Sequence, residues 1–192
     1  MPHSDPFDWS ASPVAQQIDH LRSLPPAALR EAAATYDWSR QAEPVLGWVM
    51  AQREIDLGTA LTVFFNGEPT RFNYMPKSHV PADYRGVARV LDNICQRVNS
   101  GFYLIHPAHV LRCQTKLSNW LGFQEADRAE GRRGRWILSE GILAPMLQDD
   151  LRLRRDTTAA KGARPSLLRD FLRPLIRLRV DRDALKFKEP RG

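Results

Sequence analysis

The sequence predicts a mainly α fold: a compact multi-helix domain with long ordered loops and a basic C-terminal helical extension. Three observations predict this class. Apolar residues recur at three- and four-residue spacing in several segments, prolines and capping residues separate those segments, and the one run typical of a strand, residues 102–105, has no partner strand. The 192 residues are 43% hydrophobic, which is enough for one domain with its own core.

The chain is predicted to divide into two parts. Residues 1–148 form the helical domain, and residues 1–11 form a loosely held arm because they contain prolines, serines and few apolar side chains. Residues 149–192 form a basic linker and a C-terminal helix that packs on the same domain. This packing is expected because large apolar stripes rarely stay exposed to water.

Two short helices open the domain. Ser12 and Pro13 are typical of a helix start, and apolar residues recur at helical spacing as far as residue 23, so we predict a helix over 13–23. Pro25 ends this helix. Pro26 opens a second one through an alanine-rich run of high helix propensity.

Two further helices are predicted before Pro69. Asp37 or Ser39 is placed to cap the third helix, and Asp56 is placed to cap the fourth. The fourth helix has a broad apolar face, and Gly58 is small enough to let a neighbouring helix approach closely.

The middle of the chain combines a loop with the clearest helical pattern. Residues 71–81 contain two prolines and no sustained periodicity, which is typical of a long ordered loop. Residues 82–100 form an amphipathic helix that ends before Gly101. We predict a buried extended link over residues 102–105 and another helix over residues 108–121.

The last third alternates between polar and apolar segments. Residues 124–135 are polar and rich in glycine and arginine, which predicts an exposed loop, and residues 136–147 return to the core. Residues 149–164 are a charged linker. Ser166 can cap the terminal helix, which Pro174 bends or ends. Its apolar stripe consists of Leu167, Leu168, Phe171, Leu172, Leu175 and Ile176.

Positive charge is concentrated at the C-terminal end. Residues 149–192 hold 13 Lys and Arg against 7 Asp and Glu, and this difference equals the net charge of +6 of the whole chain. Most of these cations are arginines, whose planar fork suits carboxylate and phosphate groups. The structural alternative is a solvated face on which the arginines pair with nearby aspartates.

The arginines support two hypotheses of function. The first is a non-enzymatic interaction module whose exposed arginines bind an acidic protein partner. The alternative is a nucleic-acid-binding protein that uses the arginine-rich C-terminal region. The Gly-Arg-rich residues 131–135 support it too, because arginines beside Trp136 can contact phosphates and stack on bases. The predicted partner contacts are Arg132, Arg133, Arg135, Arg173 and Arg177.

A metal-dependent enzyme is the second alternative. His106, His109 and Cys113 have the spacing of ligands on one helical face, although the proline between the histidines breaks helical geometry. Asp37 and Asp56 are candidate acid-base groups, but each occupies a position where a helix needs a cap. The sequence predicts no cofactor and favours a binding protein over an enzyme.

Location and cysteine usage follow from simple patterns. The N-terminus lacks the basic start and apolar stretch of a secretory signal, and no apolar run is long enough to cross a bilayer, so we expect a cytoplasmic protein. Cys95 and Cys113 are expected to be reduced and partly buried. The oligomeric state stays open.

One block also resembles a known family. Tyr36-x-Trp38-Ser39, an apolar helix, Asp56-x-Gly58-Thr59-Ala-Leu, paired aromatics and a Gly-x-Pro stop resemble a bacterial family described only as a domain of unknown function, over roughly residues 32–105. Ser39 departs from the acid expected there. The resemblance implies a small helical bacterial domain and no particular activity. Short bacterial proteins of this kind are frequently antitoxins, immunity proteins or adaptors, so we expect an immunity or antitoxin-like factor. The signature residues are Tyr36, Trp38, Asp56, Gly58 and Thr59.

Overall fold

The computed structural model describes residues 7–106, 111–144 and 146. All regular structure within these ranges is helical, so the mainly α prediction is confirmed. The α-helices are α1 (Val14–Ser23), α2 (Pro26–Thr35), α3 (Ala42–Val49), α4 (Leu57–Asn66), α5 (Arg85–Asn99) and α6 (Gln114–Ala129). The turns Pro69–Arg71, Lys77–His79 and Ala82–Tyr84 are 3-10 helices, and residues 140–144 are helical.

The predicted basic linker and C-terminal helix, residues 149–192, lie outside the described residues. None of the helices in the described ranges combines the length and apolar character needed to cross a bilayer.

Helix α4 lies at the centre of the core. It packs between α2 and α5, while α3 packs against both α1 and α5. Because α4 has neighbours on several sides, apolar residues occur around most of its circumference and not along one stripe only. Buried residues of α4 are Leu57, Gly58, Ala60, Leu61, Val63, Phe64 and Phe65.

Aromatic rings join α4 to the later part of the chain. The ring of Phe64 meets Trp120 of α6 edge to face at 5.6 Å and Trp136 at 6.2 Å between centroids. Edge-to-face pairs of this kind add about 0.5–1.5 kcal/mol beyond the area they bury. The apolar residues 136–138 therefore return to the core as predicted, with Trp136 and Leu138 buried, while Ile137 between them is partly exposed.

Asp56 caps α4 as the sequence predicts. Its carboxylate accepts a hydrogen bond from the Thr59 amide at 2.7 Å, and Arg30 lies 3.6 Å from its second oxygen. A cap of this kind satisfies an amide that has no partner within the helix. The Leu57 amide donates to the carbonyl of Leu104 at 2.9 Å, which ties the helix start to a distant segment.

The aromatic signature residues make specific packing contacts. The buried Tyr36 hydroxyl donates to Gln17 at 2.9 Å. The Trp38 ring lies over Gly67, where an added Cβ would stand only 2.6 Å from a ring carbon. Glycine is therefore required at position 67 for Trp38 to pack against the end of α4.

The cap predicted for α3 is wrong. Helix α3 begins after Gln41, which makes no capping bond with its side chain. The Asp37 carboxylate instead accepts bonds from the amide and hydroxyl of Ser39 and pairs with Arg40 at 3.0 Å. These bonds stabilise a local turn that ends before the helix begins.

Two predictions after α5 are also wrong. Residues 102–105 are not a buried link, because only Tyr103 is buried while its neighbours are exposed. Helix α6 continues to Ala129, so its last turns occupy part of the predicted loop over 124–135. In these last turns the polar Gln124 faces inward, where its side chain makes two hydrogen bonds with the backbone of Leu138, at 2.7 and 3.1 Å.

The N-terminal arm is fixed to the body from Phe7 onward and is not loosely held there. The Phe7 ring stacks on His20 at 4.0 Å between centroids, and Trp9 meets Tyr36 edge to face at 5.9 Å. The Gln17 side chain also donates to the Trp9 carbonyl at 3.2 Å.

Candidate functional site

A pocket of about 260 Å³ lies at the end of α6, beside the loop that follows it. We call it the basic pocket. Its charged lining residues are Arg128, Arg132, Arg133 and Asp127. The pocket therefore brings together two of the predicted partner contacts, Arg132 and Arg133, with an arginine from the helix itself.

The end of α6 directs the two loop arginines to this position. Gly131 has φ +64°, a left-handed conformation that glycine adopts without steric cost and that commonly terminates helices. The Arg132 amide then donates back to the Asp127 carbonyl at 2.8 Å. This bond closes the end of the helix, and Arg132 and Arg133 come directly after it.

Asn73 anchors the far end of the loop. Its carbonyl accepts the Arg135 amide at 2.7 Å, and its side-chain oxygen accepts the Trp136 amide at 3.1 Å. A Cβ on Gly134 would stand 2.3 Å from the Asn73 side-chain nitrogen, so only glycine fits this close approach. The loop is thus held by hydrogen bonds to a buried residue remote in sequence.

The predicted exposure of Arg135 is wrong. Its guanidinium donates to both oxygens of Asp92, at 3.0 and 2.8 Å, and its side chain is only 13% exposed. The guanidinium also lies 5.0 Å from the centroid of the Trp136 ring, and the indole nitrogen of Trp136 donates to Asp92 at 2.8 Å. Arg135 therefore holds the loop to Asp92 of α5 and is not available to a partner.

The electrostatics of Asp92 fit this supporting role. Burial disfavours the ionised carboxylate, but the hydrogen bonds from Arg135 and Trp136, together with the charges of Arg135 and Lys77, outweigh it and lower the pKa of Asp92. The carboxylate is therefore ionised at neutral pH, and its charge strengthens all three hydrogen bonds that it accepts.

The arginines around the pocket are weakly held. Arg128 pairs with Glu140, and Arg132 pairs with Glu130 at 3.0 Å. Both arginine side chains are at least half exposed, and exposed pairs of this kind contribute at most about 1 kcal/mol. Within the described ranges, Arg133 is exposed.

A carboxylate limits how deeply an anion can enter the pocket. Asp127 is buried, and its side chain accepts a hydrogen bond from the Tyr74 hydroxyl at 2.6 Å. A negatively charged group is repelled by this carboxylate and is favoured only at the rim, where the arginines lie. The geometry therefore suits acidic groups projecting from a surface that covers the pocket.

Trp136 does not provide the base-stacking surface expected from the sequence. Its ring is buried, the ring of Phe64 packs perpendicular to it, and its indole nitrogen donates to Asp92. A nucleobase cannot reach its face without opening the core. This finding removes one of the two observations that favoured nucleic acid.

The weak metal candidates do not form a site among the described residues. No three His, Cys, Asp or Glu side chains in those ranges converge to hold a metal ion. His109 lies outside the described residues, and His106 stands at their edge. Cys113 is buried, and burial raises the pKa of its thiol to about 11, which disfavours the thiolate that binds metal.

The spacing of residues along the sequence identified only part of the pocket. Arg132 and Arg133 were recognised from the Gly-Arg-rich run, but Arg128 and the anchoring Asn73 were missed. Arg128 is a helical residue with no local motif, and Asn73 lies far away in sequence. The remaining predicted contacts, Arg173 and Arg177, lie outside the described residues.

Fold and pocket together define an all-helical protein, over the described part of the chain, with an arginine-lined pocket supported by buried polar residues. Neither a family model nor a curated protein nor a solved structure matches the chain. The resemblance to the bacterial domain of unknown function stays a prediction.

Proposed function

We propose that the protein is a non-enzymatic interaction module that binds an acidic protein partner through the basic pocket. One observation carries the proposal: three arginines from the end of α6 and its following loop line a single pocket. The loop is fixed by Asn73 and Asp92. A preorganised loop loses little conformational freedom on binding, so more of the contact energy remains as affinity.

The local ion pairs favour exchange with a partner. Arg128 and Arg132 pair with Glu140 and Glu130, and both arginine side chains are at least half exposed. A partner carboxylate that is shielded from water by the surrounding interface gains more from the same guanidinium than an exposed glutamate does. Arginine is enriched among the residues that dominate interface energies, where truncation typically removes about 2 kcal/mol or more.

An acidic protein is favoured over a nucleic acid by two features. The face of Trp136 is inaccessible for stacking. In addition, Asp127, Glu130 and Glu140 lie among the pocket arginines, and these carboxylates disfavour a continuous track of phosphates. Carboxylates that are spaced apart on a folded partner can each pair with one arginine and stay away from these three acidic side chains.

The expected biological form is an immunity or antitoxin-like factor acting in the cytoplasm. This part of the proposal derives from the resemblance to a family of small bacterial helical domains. It predicts a stoichiometric complex whose partner supplies the acidic surface.

The test is an affinity purification of the tagged full chain from its native cells at low and high salt. The pocket variant carries Arg132→Ser and Arg133→Ser. The matched control carries Arg53→Ser and Lys116→Ser, which removes the same charge from exposed residues that do not line the pocket. Partner proteins, nucleic acid and zinc are measured in each sample.

We expect one acidic protein to co-purify stoichiometrically with the wild type and the control. The pocket variant should bind it at least about 100-fold more weakly, which corresponds to about 1.4 kcal/mol for each arginine. Equal retention by the pocket variant would contradict the proposed site. Nucleic acid that is lost at high salt, or bound zinc without a partner protein, would replace the proposal with one of the two alternatives.

A further inference from the structure

We propose that the basic pocket receives one aromatic side chain of the acidic partner, while acidic residues on either side of it in the partner pair with the pocket arginines. The inference rests on the proposed function and adds what fills the pocket. The pocket has a volume of about 260 Å³, which is below the range of about 300–1,000 Å³ that is typical for drug-sized ligands. Its size therefore suits a single side chain of a partner protein.

The charges around the pocket favour an uncharged side chain in its interior. Asp127 lines the pocket and is 4% exposed, so a partner carboxylate that entered would be brought close to a buried carboxylate and repelled. A partner cation is disfavoured as well, because Arg128, Arg132 and Arg133 line the same pocket. The acidic groups of the partner are thus held at the rim, and a neutral group fills the space between them.

Ile137 supplies an apolar contact for such a group. It lines the pocket and is 36% exposed, whereas its neighbours Trp136 and Leu138 are buried. An apolar side chain that covers Ile137 removes the exposed surface of both residues from water, which favours binding. An apolar centre surrounded by charged groups is also the common arrangement of protein interfaces.

Hydrogen bonds from two helices fix the backbone of Ile137. Its carbonyl accepts the side-chain amide of Asn99 at 2.7 Å and the thiol of Cys95 at 3.5 Å, both from α5. The amide of the next residue, Leu138, donates to Gln124 of α6 at 2.7 Å. The apolar wall of the pocket is therefore formed before a partner binds, and little ordering of the chain is needed on binding.

The pocket arginines favour an aromatic ring over an aliphatic side chain. The side chains of Arg128 and Arg132 are at least half exposed, and guanidinium groups stack on the faces of aromatic rings. Aromatic residues are also enriched among the side chains that dominate interface energies. Tyrosine suits the pocket best, because Asn73 and Asp127 line it too and the hydroxyl of a tyrosine gives the ring one polar end.

Three labelled peptides and the full chain test the inference. Each peptide carries Glu-Asp-Glu on both sides of one central residue, which is tyrosine, leucine or serine, and fluorescence anisotropy measures its affinity. The pocket variant is Ile137→Ser. The matched control is Leu104→Ser, which removes an apolar side chain that is 76% exposed and does not line the pocket. The variant with Arg132→Ser and Arg133→Ser is measured with the same peptides.

The wild type should bind the tyrosine peptide about tenfold more tightly than the serine peptide and about threefold more tightly than the leucine peptide. Ile137→Ser should weaken binding of the tyrosine peptide by about fivefold and leave the serine peptide unchanged, whereas Leu104→Ser should change neither. Equal wild-type affinities for tyrosine and serine, or a leucine peptide that binds at least as tightly as the tyrosine peptide, would overturn the inference. A tyrosine peptide that does not bind would overturn it too.

The arginine variant separates this inference from the proposed function. Arg132→Ser with Arg133→Ser should weaken all three peptides, because each carries the same acidic residues. If it does so while the wild type does not distinguish the central residue, the arginines bind acidic groups and only the aromatic anchor is wrong. If the wild type selects tyrosine through Ile137 while the arginine variant binds every peptide as the wild type does, the anchor holds and the arginine-based function is wrong.

Discussion

Replacing Asp92 by alanine should lower the free energy of unfolding by about 3 kcal/mol. The carboxylate accepts three hydrogen bonds, from two nitrogens of Arg135 and from the Trp136 indole, at 3.0, 2.8 and 2.8 Å. A hydrogen bond to a charged group contributes about 1.5–3 kcal/mol when buried. The Asp92 side chain is 30% exposed, so we assign about 1 kcal/mol to each bond to allow for solvent screening.

Urea unfolding at neutral pH measures this loss, and the melting temperature should fall by about 6–12 °C for a chain of this size. The matched control is Asp19→Ala, which makes the same substitution within a helix and breaks an ion pair with Arg22 whose side chains are 69% and 59% exposed. The control should change stability by no more than about 0.5 kcal/mol. If Asp92→Ala is no more destabilising than the control, the hydrogen bonds of Asp92 do not hold the loop and the reasoning is wrong.

The stabilising effect of Asp92 should also depend on pH. The native pKa of Asp92 is lowered from its ordinary value of 3.8, so the native state binds the proton less tightly than the unfolded state does. The stability due to ionisation is therefore fully present above about pH 5 and is lost as the pH falls through the native pKa. The difference in unfolding free energy between wild type and Asp92→Asn should shrink over that acidic range. A difference that stays constant down to pH 2 would contradict this assignment.

Three further experiments test the fold. Gly67→Ala should lower the free energy of unfolding by about 1–3 kcal/mol because its Cβ would collide with the indole ring of Trp38. Gly47→Ala has open space around its Cβ and should instead stabilise α3 by about 0.5–1 kcal/mol. Urea unfolding should therefore show opposite changes in unfolding free energy for the two variants. Asp56→Ala removes the cap of α4 and should lower the free energy of unfolding by about 1–2 kcal/mol. Asp56→Asn should retain most of the stabilisation by the cap, because an asparagine side chain can also accept the amide hydrogen bond. Thermal unfolding of both variants measures the difference. Cys95 and Cys113 are buried thiols whose pKa is raised to about 11; a thiol reagent at pH 8 should therefore label neither cysteine rapidly in the native protein and both after unfolding, and a rapidly labelled native thiol would contradict this burial.

Features that depend on neighbouring residues were predictable from the sequence. Asp56 caps α4 because the acid and the amide that it caps are three residues apart. The apolar stripe of α5 appears directly in the spacing of Leu91, Ile94 and Val98, all of which are buried. Local spacing was sufficient in both cases, since a helix brings residues three and four apart onto the same face.

Features that depend on distant partners were not predictable. Arg135 appeared exposed because it stands in a polar, glycine-rich run, and its acceptor Asp92 is 43 residues away. Gln124 appeared to belong to a loop, but its amide pairs with the buried backbone of Leu138. Polar side chains that satisfy buried groups have the same composition as solvated ones, so the pattern alone cannot separate them.

Around the basic pocket, the residues that hold the loop in place differ from the residues that line the pocket. Asn73, Asp92 and Gly134 fix the loop, whereas the three arginines of the pocket make only exposed ion pairs, or none in the described ranges, and add little to stability. Under the proposed function, substitution of the arginines should therefore weaken binding of the partner without endangering folding. If these arginines bind the partner as proposed, substitutions at the three positions can change the target while the fold is kept. We expect diverged relatives to retain the anchoring residues while the arginine positions vary with the partner.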